Sequence, residues 1–175
     1  MTASAGLLEG DCYDTEIIAA ENSCLKFTGQ SYTKIFKADK TGAVQNTAIT
    51  VNSGAKMFYM PCPVIPFAGS VYSACTNIHL ASDCRFAMCD IVSCGRAAMN
   101  EKFLFRRYRS RTSVYVDGRM VFLDNVLFLP DEADLSGTGF FEGYTHAGMI
   151  YTYGFGIDSL PEINGLEAAV TRAEA

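Results

Sequence analysis

Histidine is almost missing from this chain: His79 and His146 are the only two among 175 residues. Seven cysteines are present (12, 24, 62, 75, 84, 89 and 94), but no two are spaced as C-x-x-C. Structural zinc sites draw their ligands from such close pairs, so none is expected. Cys84, Cys89 and Cys94 stand five apart, which turns successive side chains to opposite faces of a strand. Basic charge is also short: 14 Lys and Arg against 19 Asp and Glu leave a net charge of −5. Nucleic-acid binders are normally basic, and that class is set aside. No apolar run reaches the length of a membrane span, so no membrane association is expected. The start, Met1-Thr-Ala-Ser-Ala5, lacks the basic and apolar segments of a signal peptide. A cytoplasmic location is expected, and with it reduced thiols that mostly fill core space. The G-x-x-x-x-G-K-[ST] phosphate loop and the G-x-S-x-G nucleophile elbow are absent too.

What is present is a repeat. Thr47-Ala-Ile49-Thr-Val51-Asn-Ser53, Thr76-Asn-Ile78-His-Leu80-Ala-Ser82 and Thr112-Ser-Val114-Tyr-Val116-Asp-Gly118 share one pattern. A looser copy starts at Thr15, with Ile17 and Ala19, and reaches Ser23 two residues late. Period-two alternation marks half-buried strands. Three copies then add a cation and an apolar residue: Ser23…Lys26-Phe27, Ser53…Lys56-Met57 and Ser82…Arg85-Phe86. A strand, a polar corner and a second strand at a nearly constant step predict a stacked all-β architecture, like an irregular β-helix. Hairpins in a β-sandwich also alternate, but a sandwich does not require a common step. Residues 1–158 are read as one β domain and 159–175 as a short terminal helix. Ser159 would cap that helix, with Pro161 in its first turn.

Strands are expected at 12–20, 24–28, 31–37, 43–52, 55–60, 70–81, 84–93, 102–108, 111–117, 120–129 and 147–154. Asp117-Gly118 suits the tight turn of a hairpin. Met60-Pro61-Cys-Pro63-Val-Ile-Pro66 loses three backbone donors to proline and reads as a stiff connector rather than a central strand. The basic run Arg106-Arg107-Tyr-Arg109-Ser-Arg111 reads as a local anion or partner patch or, preferably, as a solvated strand edge. Residues 130–146 form the longest irregular stretch. Phe140, Phe141 and Tyr144 within it either anchor a partner or close the end of the sheet.

Three carboxylates stand out by context: Asp11 after Gly10, Asp90 inside Phe86-Ala-Met-Cys-Asp-Ile-Val92, and Asp124 inside Met120-Val-Phe-Leu-Asp-Asn-Val-Leu-Phe128. Alternation leaves open whether each faces solvent or the interior. If buried, each needs a cation, hydrogen bonds or a proton. A metal- or thiol-dependent hydrolase on a β-repeat scaffold is the rival class. Its triad would be Ser93, His146 and Asp90, or its pair Cys94 and His146, with nothing in the sequence to position the nucleophile.

Five segments in order carry a resemblance. They are Gly6-Leu-Leu-Glu-Gly10-Asp11, Gly29-Gln-Ser-Tyr-Thr-Lys34-Ile-Phe36, Phe58-Tyr-Met-Pro-Cys-Pro-Val-Ile-Pro-Phe67, Asp90-Ile-Val-Ser-Cys-Gly95-Arg96-Ala-Ala-Met-Asn-Glu101-Lys-Phe103 and Phe141-Glu-Gly-Tyr144-Thr-His146. Together they resemble the UreD/UreH family of urease accessory proteins, the last segment its UreH branch in particular. Glu9 departs from the family pattern, standing where a glycine is usual. The chain looks shortened at both ends relative to the family. The resemblance implies an irregular β-helix and a non-enzymatic maturation factor. Such a factor binds apo-urease, a UreF-like accessory protein and a UreG-like GTPase, and supports nickel delivery to the urease active site. It implies no tightly bound cofactor, only transient Ni²⁺. By motif position Asp11, Asp90 and Asp124 are the candidate passage carboxylates. Lys34, Gly95, Arg96, Glu101, Tyr144 and His146 complete the motif set, and Lys34 is a candidate partner for one of the acids. Isolated carboxylates hold Ni²⁺ weakly, as a transit route requires, whereas imidazole and thiolate clusters would trap it.

Overall fold

Parallel pairing organises the chain. The structure, a computed structural model, describes residues 6–155. Its strands are β1 (Cys12–Ala19), β2 (Cys24–Thr28), β3 (Thr33–Ile35), β4 (Ala43–Val51), β5 (Lys56–Met60), β6 (Val64–Pro66), β7 (Val71–Leu80), β8 (Arg85–Ser93), β9 (Arg107–Val116), β10 (Arg119–Phe128) and β11 (His146–Tyr153). One sheet has the order β1-β4-β7-β9-β10, and the other β2-β5-β8-β6-β3 with β11 on β8. The four repeats are β1, β4, β7 and β9. They lie parallel and in register, so that Thr15, Thr47, Thr76 and Thr112 form one rung. Ile17, Ile49, Ile78 and Val114 form the next, and Ala19, Val51, Leu80 and Val116 the third. Each repeat is one layer of a β-solenoid-like stack, as the common step predicted.

Polar corners join the layers. Ser53 Oγ donates to Asp83 Oδ2 at 2.7 Å, and the Ser82 amide donates to Asp117 Oδ1 at 3.1 Å. The parallel series ends at Asp117-Gly118. Both residues have positive φ (46° and 79°), the requirement of a type I′ turn, and β10 folds back antiparallel on β9.

Two apolar clusters fill the space between the sheets. One holds Ile17, Ile49, Ile78 and Val114 with Met57, Phe86 and Met88. The other holds Tyr72, Tyr108, Val92, Phe105, Leu135 and Phe141. Between them runs a polar layer. Thr47, Thr76, Ser110 and Thr112 are buried there, on the same strands and facing the same way as the apolar rungs.

The structure corrects several expectations. In the first repeat Cys24, not Lys26, opposes Lys56 and Arg85. The chain turns there at Asn22 (φ 57°), whose amide bonds the Ser53 carbonyl, so Ser23 follows the corner instead of forming it. Residues 64–66 are a strand, not a connector: β6 pairs with β3 and touches β8. The prolines permit this because a ladder uses alternate residues. Pro63 serves β3 through its carbonyl, which accepts from the Thr33 amide, and the Phe67 amide donates to Ile35. Toward β8, where the Pro66 donor is missing, pairing is confined to Val64 and Val92. Residues 102–106 are not strand; Phe103 has φ 55° in an irregular link before β9. β9 is not an edge either, since β7 and β10 flank it. Cys12 and Cys24 are exposed, and only Cys84, Cys89 and Cys94 are core residues. The proposed helix at 159–175 lies outside the described residues.

Candidate functional site: a cavity with two carboxylates

Asp90 comes from β8 and Asp124 from β10, strands of opposite sheets that never pair. Both nevertheless line one cavity of about 380 Å³, with Tyr108, Ser110, Phe128 and Met149 among its walls. Alternation explains the orientation of Asp90. On β8 the residues at 86, 88 and 92 belong to the core clusters, so Asp90 points the same way. Asp124 opposes Thr112 of β9, the outermost rung of the polar layer.

The cavity is polar in one spot and apolar around it. Ser110 Oγ donates to Asp90 Oδ2 at 3.0 Å, and the Tyr151 hydroxyl donates to Asp124 Oδ2 at 2.8 Å. Burial raises the Asp90 carboxyl above the usual carboxylate range; the Ser110 bond opposes this and the Asp124 charge adds to it. Burial also raises the Tyr151 hydroxyl, helped by its bond to Asp124 and the charges of Asp124 and Asp90. Tyr108, packed alongside, is pushed far up by burial first and by Asp90 next. These phenols stay protonated, and that of Tyr151 is the donor to Asp124. The donors to the two acids are the Ser110 and Tyr151 hydroxyls and the Asn125 amide, which donates to Asp124 Oδ1 at 2.9 Å. Among the described residues no group of three or more His, Cys, Asp and Glu comes together.

The model of the family described as UreD urease accessory protein matches residues 1–175. The chain belongs to the UreD family. Among its curated relatives, the urease accessory protein UreD of Acetivibrio thermocellus is 39% identical over 146 residues, 83% of this chain and 56% of the relative. The urease accessory protein UreH of Helicobacter hepaticus is 32% identical over 170 residues, 97% of this chain and 66% of the relative. The UreD of Flavobacterium johnsoniae is 31% identical over 174 residues, 99% of this chain and 62% of the relative. The chain therefore spans between 56% and 66% of the length of these relatives.

In this UreD-family chain the remaining motif residues do different things. Asp11 does not line the cavity; its Oδ2 accepts the Leu8 amide at 2.8 Å and closes its own turn. Glu9, the departure from the family pattern, accepts the amides of Asp39, Lys40 and Thr41 at 3.1, 2.6 and 2.8 Å and pins that loop. Lys34 is exposed and makes no ion pair with Asp11, Asp90 or Asp124 among the described residues. Gly95 has φ 124°, and a Cβ there would sit 2.4 Å from the Glu101 carbonyl oxygen. Arg96 grips Glu101 through two bonds, one of them Nε to Oε2 at 2.7 Å, and lies 4.2 Å from the centroid of the Phe67 ring. These three residues shape the link after β8. Phe141 is buried against Phe103 and Phe128 and closes the end of the core, while Tyr144 is 71% exposed. His146 is half-buried, with Nδ1 at 2.9 Å from Thr145 Oγ1, and burial lowers its pKa.

Of the rival hydrolase's residues, Ser93 and His146 stand opposite each other in the pairing of β8 with β11, but their side chains bond to other partners. Ser93 Oγ donates to the Gly95 carbonyl at 3.1 Å, and His146 has Thr145 as its partner. Burial raises the Cys94 thiol, opposite to what a reactive thiolate needs. Ser110, Tyr108 and Tyr151 were missed by sequence reasoning. A serine or tyrosine in an alternating strand carries no mark of its partner on another strand.

Proposed function

We propose that the chain acts in urease maturation as a non-catalytic scaffold. It couples apo-urease to a UreF-like accessory protein and a UreG-like GTPase, in the cytoplasm, while nickel is delivered. Membership of the UreD family carries this reading. The cavity supports its metal half. Nickel is cargo here, and Asp90 and Asp124 are the candidate transit ligands. Oxygen donors hold Ni²⁺ less tightly than imidazole or thiolate clusters do. Burial raises the Asp90 pKa, so protons compete with the ion more there than at a free carboxylate. Release is then as easy as capture, which suits a route rather than a store. Asp11 is assigned no part in the route inside this cavity.

Co-purification tests the scaffold. The tagged chain should retain urease subunits and the UreF-like partner, and a strain lacking the gene should make urease depleted of nickel. Normal nickel loading in that strain overturns the reading. The Asp90→Asn/Asp124→Asn double variant tests the route separately: it should keep its partners and lower urease nickel content.

A further inference from the structure

We propose that the outward face of β9 is a docking surface for an acidic, extended segment of a partner protein, held by Arg107, Arg109 and Arg111. All three side chains are exposed, alternating with buried Tyr108, Ser110 and Thr112. Their two-residue spacing sets the guanidinium groups roughly 6.6 Å apart along the strand. Edge protection does not account for them, since β7 and β10 pair with β9 on both sides. Nor does neutralisation within the protein. The β7 residues beside them are Val71, Ser73 and Cys75, and on β10 Leu127 and Asn125 stand beside Arg109 and Arg111. The polar partners present are neutral: Ser73 Oγ at 3.2 Å from Arg107 and Asn125 Oδ1 at 3.2 Å from Arg109. Among the described residues none of the three makes an ion pair. Three cations in one row with no ion pair among the described residues are unexpected in a chain of net charge −5.

The surroundings select the occupant. Leu123, Leu127 and Met120 face outward beside the row and are 50%, 47% and 44% exposed. Arginine next to exposed apolar side chains is the composition of a protein interface. Guanidinium forks bind carboxylates in pairs of parallel hydrogen bonds. An extended chain with acids at alternate positions repeats at the same roughly 6.6 Å, so each acid would meet one arginine. On the same face Asp14 is three strands away from Arg111, roughly 14 Å. That acidic margin repels the partner from β1 and keeps it along β9 and β10. The proposal stands apart from the nickel route, since no arginine of the row lines the cavity.

The test uses the full 175-residue chain and a fluorescein-labelled decapeptide of alternating Glu and Ser. Its Gln-for-Glu counterpart and a single-stranded DNA oligonucleotide of equal charge serve as competitors. The expected result is saturable binding at about 50 mM salt, weakened about tenfold or more at high salt. The R107Q/R109Q/R111Q variant should lose about tenfold or more in affinity, and the Arg→Lys triple, which keeps the charge, should lose less. Thermal melting checks that each variant remains folded. Equal affinity in the Gln triple, competition by the Gln peptide, or preference for DNA overturns the proposal.

Discussion

The isoleucine end of the stack and the carboxylate end are made from the same strands by opposite rules. At one end, Ile17, Ile49, Ile78 and Val114 repeat a single solution four times, each rung packing on its copy. At the other, an aromatic rung of Tyr72, Tyr108 and Phe128 gives way to Ala43 on β4 and is closed by Phe105 and Phe141, beside a cavity with two acids. Repetition yields dense packing and stability, because identical layers stack without voids. The repeat itself buries threonine hydroxyls, but the two acids stand at the end away from the isoleucine rung. Stability and function are thereby separated along the strands, with the threonine layer as the border.

If that division is right, the largest losses come from the repeating end. Ile78 is fully buried in the middle of its rung, and Ile78→Ala should cost about 3–4 kcal/mol. Val126→Ala, at the wall of the cavity, should cost about 1 kcal/mol, because its surroundings are already partly empty. Urea midpoints of the two variants read the difference directly. Equal costs would show that the two ends pack alike.

Backbone strain gives the next effect. Gly95→Ala combines φ 124° with a Cβ pressed on the Glu101 carbonyl, and should cost about 2–3 kcal/mol. Gly118→Ala at the repeating end has the same sign of φ but open space, so about 1 kcal/mol is expected. Urea unfolding should also show Tyr151→Phe, which strips Asp124 of its 2.8 Å donor, losing about 1 kcal/mol.

The sequence made the two ends legible to different degrees. The rungs could be read because Thr, Ile/Val and Val/Leu recur at one step, and a stacked architecture followed from that step. The hairpin was marked by Asp117-Gly118, where chemistry dictates the turn. The cavity was visible only in halves. Asp90 and Asp124 stood out as acids inside apolar strands, but their approach is made by two facing sheets, not by spacing in either strand. Asp11 looked equivalent by context, yet its carboxylate closes a turn through a local bond to Leu8. The arginine row was misread as an edge because strand order is a property of the whole stack. Residues 64–66 were misread because three prolines hide the fact that a ladder spends donors only at alternate positions.

The last effect has the opposite sign and tests the cavity most sharply. Burial first, and the Asp124 charge in addition, hold the Asp90 carboxyl above its ordinary 3.8, despite the Ser110 bond. The folded state therefore keeps the proton at a pH where the unfolded chain has released it. Stability is highest below the ordinary value and falls as pH rises toward the raised one, beyond which a constant penalty remains. Asp90→Asn keeps an acceptor for Ser110 and removes the charge. It should stabilise the protein by about 1 kcal/mol near pH 7, a rise of about 2–4 °C in Tm, with almost no gain near pH 3. Thermal midpoints of both proteins between about pH 3 and 8 provide the measurement. A gain that does not change with pH would mean that Asp90 is solvated like a surface acid. The carboxylate end would then differ from the isoleucine end in shape alone, and nickel would meet no more resistance from a proton there than in water.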